Sequence, residues 1–271
     1  MERKSIEYRG AQISYLSFGT GDQTLLCFHG YGENAESFAF LEKSLGDRFH
    51  FICPDLPFHG QTQWPDKMDM KKIDLSDLVN DLMIAESKQA KSIYLLGFSL
   101  GGRISLGLYE TMAEKISRIV LLAPDGLKVN IWYWLATQIW LGKKIFSFTM
   151  KYPGWFLGFL GAMNKIKLVN ASVFKFVQHY IGDASGRRIL YLRWTVLRKI
   201  SPASRKIKSL LKKGSTRVAL IYGQYDRIML PQVGERFRKG IESCCNISVI
   251  RSGHQLLQEK HIDEISIALV S

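Results

Sequence analysis

The chain has 271 residues, 46% of them hydrophobic, 12% aromatic and 23% charged, a globular composition that excludes collagen-like and disordered classes. A chain this long buries enough apolar surface to need neither disulfides nor a structural metal. The formal charge is +13, and it is concentrated: residues 127–214 hold 17 Lys/Arg against one acid, Asp183.

In chain order, Met1-Glu2-Arg3-Lys4-Ser5 leads into alternating residues with no apolar leader, so a secretion signal is not expected. Ile6–Arg9 and Ile13–Phe18 alternate around Gly10 and predict a β-hairpin. Thr24–Phe28, Phe49–Cys53, Ile93–Gly97 and Ile119–Leu122 are short runs apolar on both faces. That pattern suits parallel strands covered on both sides by helices. Between them, Ala35–Leu45, a segment carrying Leu75, Leu78, Val79, Leu82 and Met83, and Leu100–Met112 have helical spacing.

The rhythm changes after Gly126. From Leu127 to Lys213 there is little alternation, and aromatic-rich helical stretches are broken at Tyr152-Pro153-Gly154, Gly182-Asp183 and Ser201-Pro202. It resumes with a strand at Arg217–Tyr222, a helix at Pro231–Gly240, a strand at Ile247–Ile250 and a closing helix over Gln255–Val270. The layout predicts an α/β core of residues 1–126 and 215–271, interrupted by a helical insertion, 127–214.

The longest apolar run, Ile131 to Gly142, is too short to span a bilayer. Cys27 and Cys53 lie in apolar runs, Cys244 and Cys245 are adjacent, and no C-x-x-C occurs. They predict packing rather than redox or zinc chemistry. No phosphate-cradling glycine loop or metal-ligand set is present, so no cofactor and no metal are expected.

Gly97-Phe98-Ser99-Leu100-Gly101 is a G-x-S-x-G. Alone it is a weak signal. Between a strand and a helix it has the setting of a nucleophile elbow, where a tight turn presents the serine and glycines provide room for close packing. A serine nucleophile needs a base and an orienting acid. In a doubly wound sheet these lie just past the carboxyl ends of strands. His50, His179 and His261 fall elsewhere, leaving His29, His59 and His254; the acids left are Asp55, Asp125 and Asp226. Position alone does not choose between Asp125 and Asp226.

Four segments carry a resemblance: Phe28-His29-Gly30-Tyr31-Gly32, Asp55-Leu56-Pro57-Phe58-His59-Gly60, Gly97–Gly102, and Gly223-Gln224-Tyr225-Asp226 followed by Gly253-His254. With them the chain resembles the α/β-hydrolase superfamily, and within it the cap-containing, carboxylesterase-like serine hydrolases. The resemblance implies a mostly parallel, doubly wound sheet with a helical cap after the sixth strand. It implies the order Ser, acid, His, hence Ser99 as nucleophile, Asp226 as acid and His254 as base. It also implies an oxyanion hole from the backbone N–H groups of Tyr31 and Leu100, with His29 and the Asp55–Gly60 segment structural. The serine excludes the relatives that use an aspartate nucleophile. No cofactor is implied.

The implied activity is cleavage of a carboxylic ester or thioester of a hydrophobic acyl or aromatic substrate. The substrate class rests on the five tryptophans and six phenylalanines of residues 127–214. A C–C bond hydrolase or menaquinone-pathway-type lyase on the same triad is the alternative, and a non-catalytic ligand-binding protein of this fold is the alternative from another class. Arg187, Arg188 or Arg193 could recognise a small anionic substrate. The basic insertion also suits an anionic lipid surface or an acidic acyl carrier protein, or is simply a solvated surface. Nucleic acid is not expected, since no binding motif accompanies the charge. The expected location is cytoplasmic, peripheral to a membrane at most.

Overall fold

The computed structural model describes residues 1–88, 92–128, 131–166 and 181–270, with no side-chain description for residue 132. Phe174, Phe176 and His179 lie outside the described residues.

Two compact units emerge. The first comprises Met1–Pro65, Met70–Lys128 and Lys199–Ser271, the second Asp66–Asp69 and Val129–Arg198. Within the first, the described strands are β1 (Glu2–Tyr8), β2 (Ala11–Phe18), β3 (Gln23–Phe28), β4 (Phe49–Pro54), β5 (Ile93–Phe98), β6 (Ile116–Leu122), β7 (Arg217–Gly223) and β8 (Cys245–Ile250). They form one sheet in the order β1-β2-β4-β3-β5-β6-β7-β8. β1 pairs antiparallel with β2, and β2 with β4; every other pairing is parallel. The central parallel strands are buried nearly throughout, as in Leu25, Leu26, Leu95, Leu96, Val120, Leu121 and Leu220. Apolar runs without alternation therefore read correctly as strands buried on both faces.

The helices of this unit are α1 (Glu42–Leu45), α2 (Lys72–Ala85), α3 (Leu100–Met112), α8 (Ser204–Lys213), α9 (Pro231–Arg238) and α10 (Ile262–Val270). Two differ from the sequence reading. Ala35–Leu41 is a 3-10 helix that ends in the single turn of α1, capped by the Asn34 side chain accepting from the Glu36 N–H at 2.9 Å. The closing helix begins at Ile262 rather than Gln255. Leu256 and Leu257 are buried in irregular chain, and an apolar pair there mimics a helical turn in the sequence.

The second unit contains α4 (Ile131–Gln138), α5 (Trp140–Lys151), α6 (Gly154–Lys165) and α7 (Ala184–Val196). An aromatic cluster ties three of them together: the Phe146 ring stacks on Trp194 at 5.4 Å, and Tyr133 donates its hydroxyl to the Trp194 carbonyl at 3.0 Å. Asp183 caps α7 by accepting the Gly186 N–H at 2.7 Å. Residues 199–214, read from sequence as part of the insertion, group with the first unit. The reason is amphipathic packing: α8 buries Ile207 and Leu211, one turn apart, and the buried Glu110 of α3 accepts the N–H of Ala203 at its start. Glu110 also pairs with Lys72 at 2.9 Å, joining α2 to the same cluster.

Glu86, just past α2, pins that helix to the sheet edge. Its carboxylate accepts from Lys4 at 3.0 Å, Tyr15 at 2.8 Å and Ser17 at 2.7 Å, and meets His50 at 3.1 Å. Burial alone would raise its pKa, but the hydrogen bonds from Ser17 and Tyr15 and the Lys4 ammonium outweigh that and hold it at about 2. The folded value lies below the ordinary 4.5. The stabilisation is therefore complete above about pH 4.5 and is lost as pH falls toward 2, on the order of 3 kcal/mol in total. Glu86→Gln should lower the urea midpoint at neutral pH and flatten its fall between these pH values; an unchanged acid limb would show that the network contributes nothing.

Candidate active site

Ser99 is the single residue between β5 and α3, at φ 49° and ψ −110°. A non-glycine residue there is strained. Its backbone is held from three sides: its N–H donates to the Leu122 carbonyl, and its own carbonyl accepts from the N–H groups of Gly102 and Asp125, each at 2.9 Å. Close packing enforces the turn. A Cβ on Gly101 would sit 1.7 Å from the Phe28 carbonyl oxygen, and one on Gly97 would sit 2.6 Å from the Gly101 oxygen. The start of α3 is thus packed against the end of β3.

The structure brings Ser99, His254 and Asp226 together. His254 Nδ1 lies 2.7 Å from Asp226 Oδ2, and His254 Nε2 lies 3.2 Å from Ser99 Oγ. A carboxylate only accepts, so Nδ1 carries the proton and Nε2 faces the serine hydroxyl as an acceptor. The Asp226 side chain is fully buried, and its other oxygen accepts the N–H groups of Ile228 at 2.7 Å and Met229 at 3.0 Å. Those donors hold the carboxylate aimed. The Phe98 ring packs beside His254 at 5.4 Å.

The other candidates have different partners. Asp125 places one oxygen 3.1 Å from Arg103 Nε and accepts the Gly126 N–H at 2.7 Å with the other. Asp55 is buried and accepts from Ala35, Gln61 and Arg3 at 2.7 to 2.9 Å. A Cβ on Gly60 would collide with that carboxylate, so the segment closes on its own aspartate. His29 is fully buried, its Nδ1 2.8 Å from the Gly30 carbonyl and its Nε2 accepting the Leu56 N–H at 3.0 Å. Both nitrogens buttress loops. His59 Nδ1 reaches the Pro57 carbonyl at 2.9 Å. The buried His261 meets Ser252 Oγ at 3.0 Å, and burial lowers its pKa, keeping a neutral ring behind the His254 loop.

Leu100 is the first residue of α3, where an N–H has no carbonyl partner within the helix. Tyr31 lies in a turn after β3, closed by the Glu33 N–H on the Gly30 carbonyl at 3.3 Å. Two residues the sequence did not single out organise this turn. One Glu33 oxygen accepts the Gly30 N–H at 3.2 Å, and the other accepts from the side chain of Gln255, the residue after His254. A contact across 222 positions leaves no local signal.

Two of the arginines considered for anion recognition, Arg187 and Arg188, have partners within the protein. Arg187 donates to the carbonyls of Met150, Ile181 and Gly182, and Arg188 pairs with Asp66 at 2.7 Å. The cysteines are free; burial raises Cys27 and pushes Cys245 up to about 12, which keeps both as inert thiols. Among the described residues no group of three or more His, Cys, Asp or Glu could hold a metal ion.

A family model described as the alpha/beta hydrolase fold matches residues 23–257. The chain belongs to the α/β-hydrolase family. Its eight-stranded, mostly parallel sheet is the architecture of this α/β hydrolase. An uncharacterised hydrolase of Bacillus subtilis, YugF, is 29% identical over 258 residues, covering 93% of this chain and 90% of the relative. The thioesterase domain from a curacin biosynthetic pathway superposes with a TM-score of 0.67 at 15% identity, covering 100% of this chain and 99% of that one. A meta-cleavage product hydrolase from Pseudomonas fluorescens gives 0.63 at 17% identity, with 98% and 96% covered. At such identities these two structures establish the shared fold.

Proposed function

We propose that this α/β hydrolase is a serine hydrolase that cleaves a carboxylic ester or thioester through an acyl-enzyme. The observation that carries the reading is the continuous Asp226–His254–Ser99 chain, 2.7 and 3.2 Å, with the serine on a strained elbow. Ser99 Oγ attacks the substrate carbonyl as its proton passes to His254 Nε2. Asp226 holds the ring and stabilises the imidazolium. The negative charge on the tetrahedral oxygen is taken up by the N–H groups of Leu100 and Tyr31, with the helix dipole of α3 adding to the field. The intermediate collapses, the C–O or C–S bond breaks, and His254 returns the proton to the leaving alkoxide or thiolate. Water then attacks the acyl-enzyme by the same steps, releasing the acid and free Ser99.

A hydrophobic acyl or aromatic substrate is the class that the tryptophan- and phenylalanine-rich composition of residues 127–214 supports. The names of similar proteins, a thioesterase and a meta-cleavage product hydrolase, set the panel that tests it. Purified protein should turn over esters or acyl thioesters and prefer apolar acyl groups to short ones. Turnover confined to vinylogous diketone acids would instead assign C–C hydrolysis on the same residues.

A further inference from the structure

The second unit presents exposed aromatic side chains together with basic ones. Along α5 and into α6, Trp140, Ile145, Phe148, Tyr152, Trp155 and Phe159 are each between 48% and 68% exposed. Ile145, Phe148 and Trp155, with the stem of Lys144, line an open apolar groove of about 420 Å³. Large aromatics grouped in this way are unusual on a surface facing only water.

The charge around them has one sign. From Gly126 to Gly182 the sequence contains seven lysines and neither Asp nor Glu. Two of the lysines sit on the aromatic face itself: Lys144 Nζ lies 4.1 Å from the centre of the Trp140 ring, and Lys151 Nζ lies 5.3 Å from that of Tyr152. Aromatic bodies with ammonium heads beside them match the boundary between acyl chains and phosphate groups. There Trp and Tyr sit at head-group level and lysine stems extend along apolar surface. No helix among the described residues is long and apolar enough to cross a membrane, so such a face would lie on a bilayer rather than span it.

We propose that the α5–α6 face docks on an anionic phospholipid surface, with the aromatics entering the acyl boundary and the lysines meeting the phosphates. An acidic protein would satisfy the lysines but would leave the Trp140, Phe148 and Trp155 rings without an apolar phase. The proposal is independent of the hydrolase reading, because binding is measured without turnover.

The test is co-sedimentation of the full chain with phosphatidylcholine vesicles, with and without phosphatidylglycerol, at low and high salt. Tryptophan emission is read in parallel. The expected result is binding to phosphatidylglycerol vesicles at low salt, with a blue shift, and release at high salt. Lys144→Ala and Lys151→Ala should each weaken the partition about fivefold. Combined Trp140→Ala, Phe148→Ala and Trp155→Ala should abolish the blue shift while the far-UV circular dichroism and the thermal midpoint, which report folding, are retained. Absence of wild-type binding at low salt would overturn the proposal, as would binding indifferent to the lysine substitutions. Capture by an acidic acyl carrier protein, or self-association, without vesicle binding would overturn it too.

Discussion

On the proposed mechanism, Ser99→Ala should lower ester or thioester turnover by roughly 10³- to 10⁶-fold with the fold retained, the largest effect expected of any single substitution in the chain. The residual rate expected is that of substrate binding and the proposed oxyanion donors. Removing Oγ deletes the nucleophile but leaves the elbow intact, because the strained backbone is held by Leu122, Gly102 and Asp125 rather than by the serine side chain. The thermal midpoint should therefore move little. The measurement is steady-state turnover beside a melting curve; a variant with near wild-type turnover would remove Ser99 from the chemistry.

Asp226→Asn comes next, with a loss on the order of 10⁴-fold in kcat. An amide that donates toward Nδ1 favours the tautomer with the proton on Nε2, which then cannot accept from Ser99. The 2.7 and 3.0 Å bonds from Ile228 and Met229 to Asp226 Oδ1 keep that side chain in place, so the loss should fall on kcat more than on stability. Asp125→Asn is the control. Its carboxylate is paired with Arg103, and its removal should cost far less activity. A reversed pair of effects would move the acid to the end of β6.

The legible parts of this molecule were those written locally. Parallel strands announced themselves as apolar runs, and Ser99 as the residue between β5 and α3. His254 and Asp226 were legible because a doubly wound sheet gathers function past its strand ends, but the choice of Asp226 over Asp125 came from resemblance. In the structure Asp226 faces His254, whereas Asp125 faces Arg103 of α3. What the sequence hid was long-range. The Glu33–Gln255 link joins two loops 222 residues apart, and no periodicity encodes it. The end of the insertion was hidden too, because α8 is as basic as the segment before it. The burial of Ile207 and Leu211, with the Ala203–Glu110 hydrogen bond, shows that it packs with the first unit.

The most direct measurement of the central claim is reaction of the purified protein with a fluorophosphonate, followed by intact-mass and peptide analysis. A serine activated by His254 should take one phosphonyl group per chain, on the peptide containing Ser99, and His254→Ala should slow labelling by orders of magnitude. No adduct on folded protein, or an adduct on another residue with Ser99 unmodified, would contradict the assignment of Ser99 as the nucleophile.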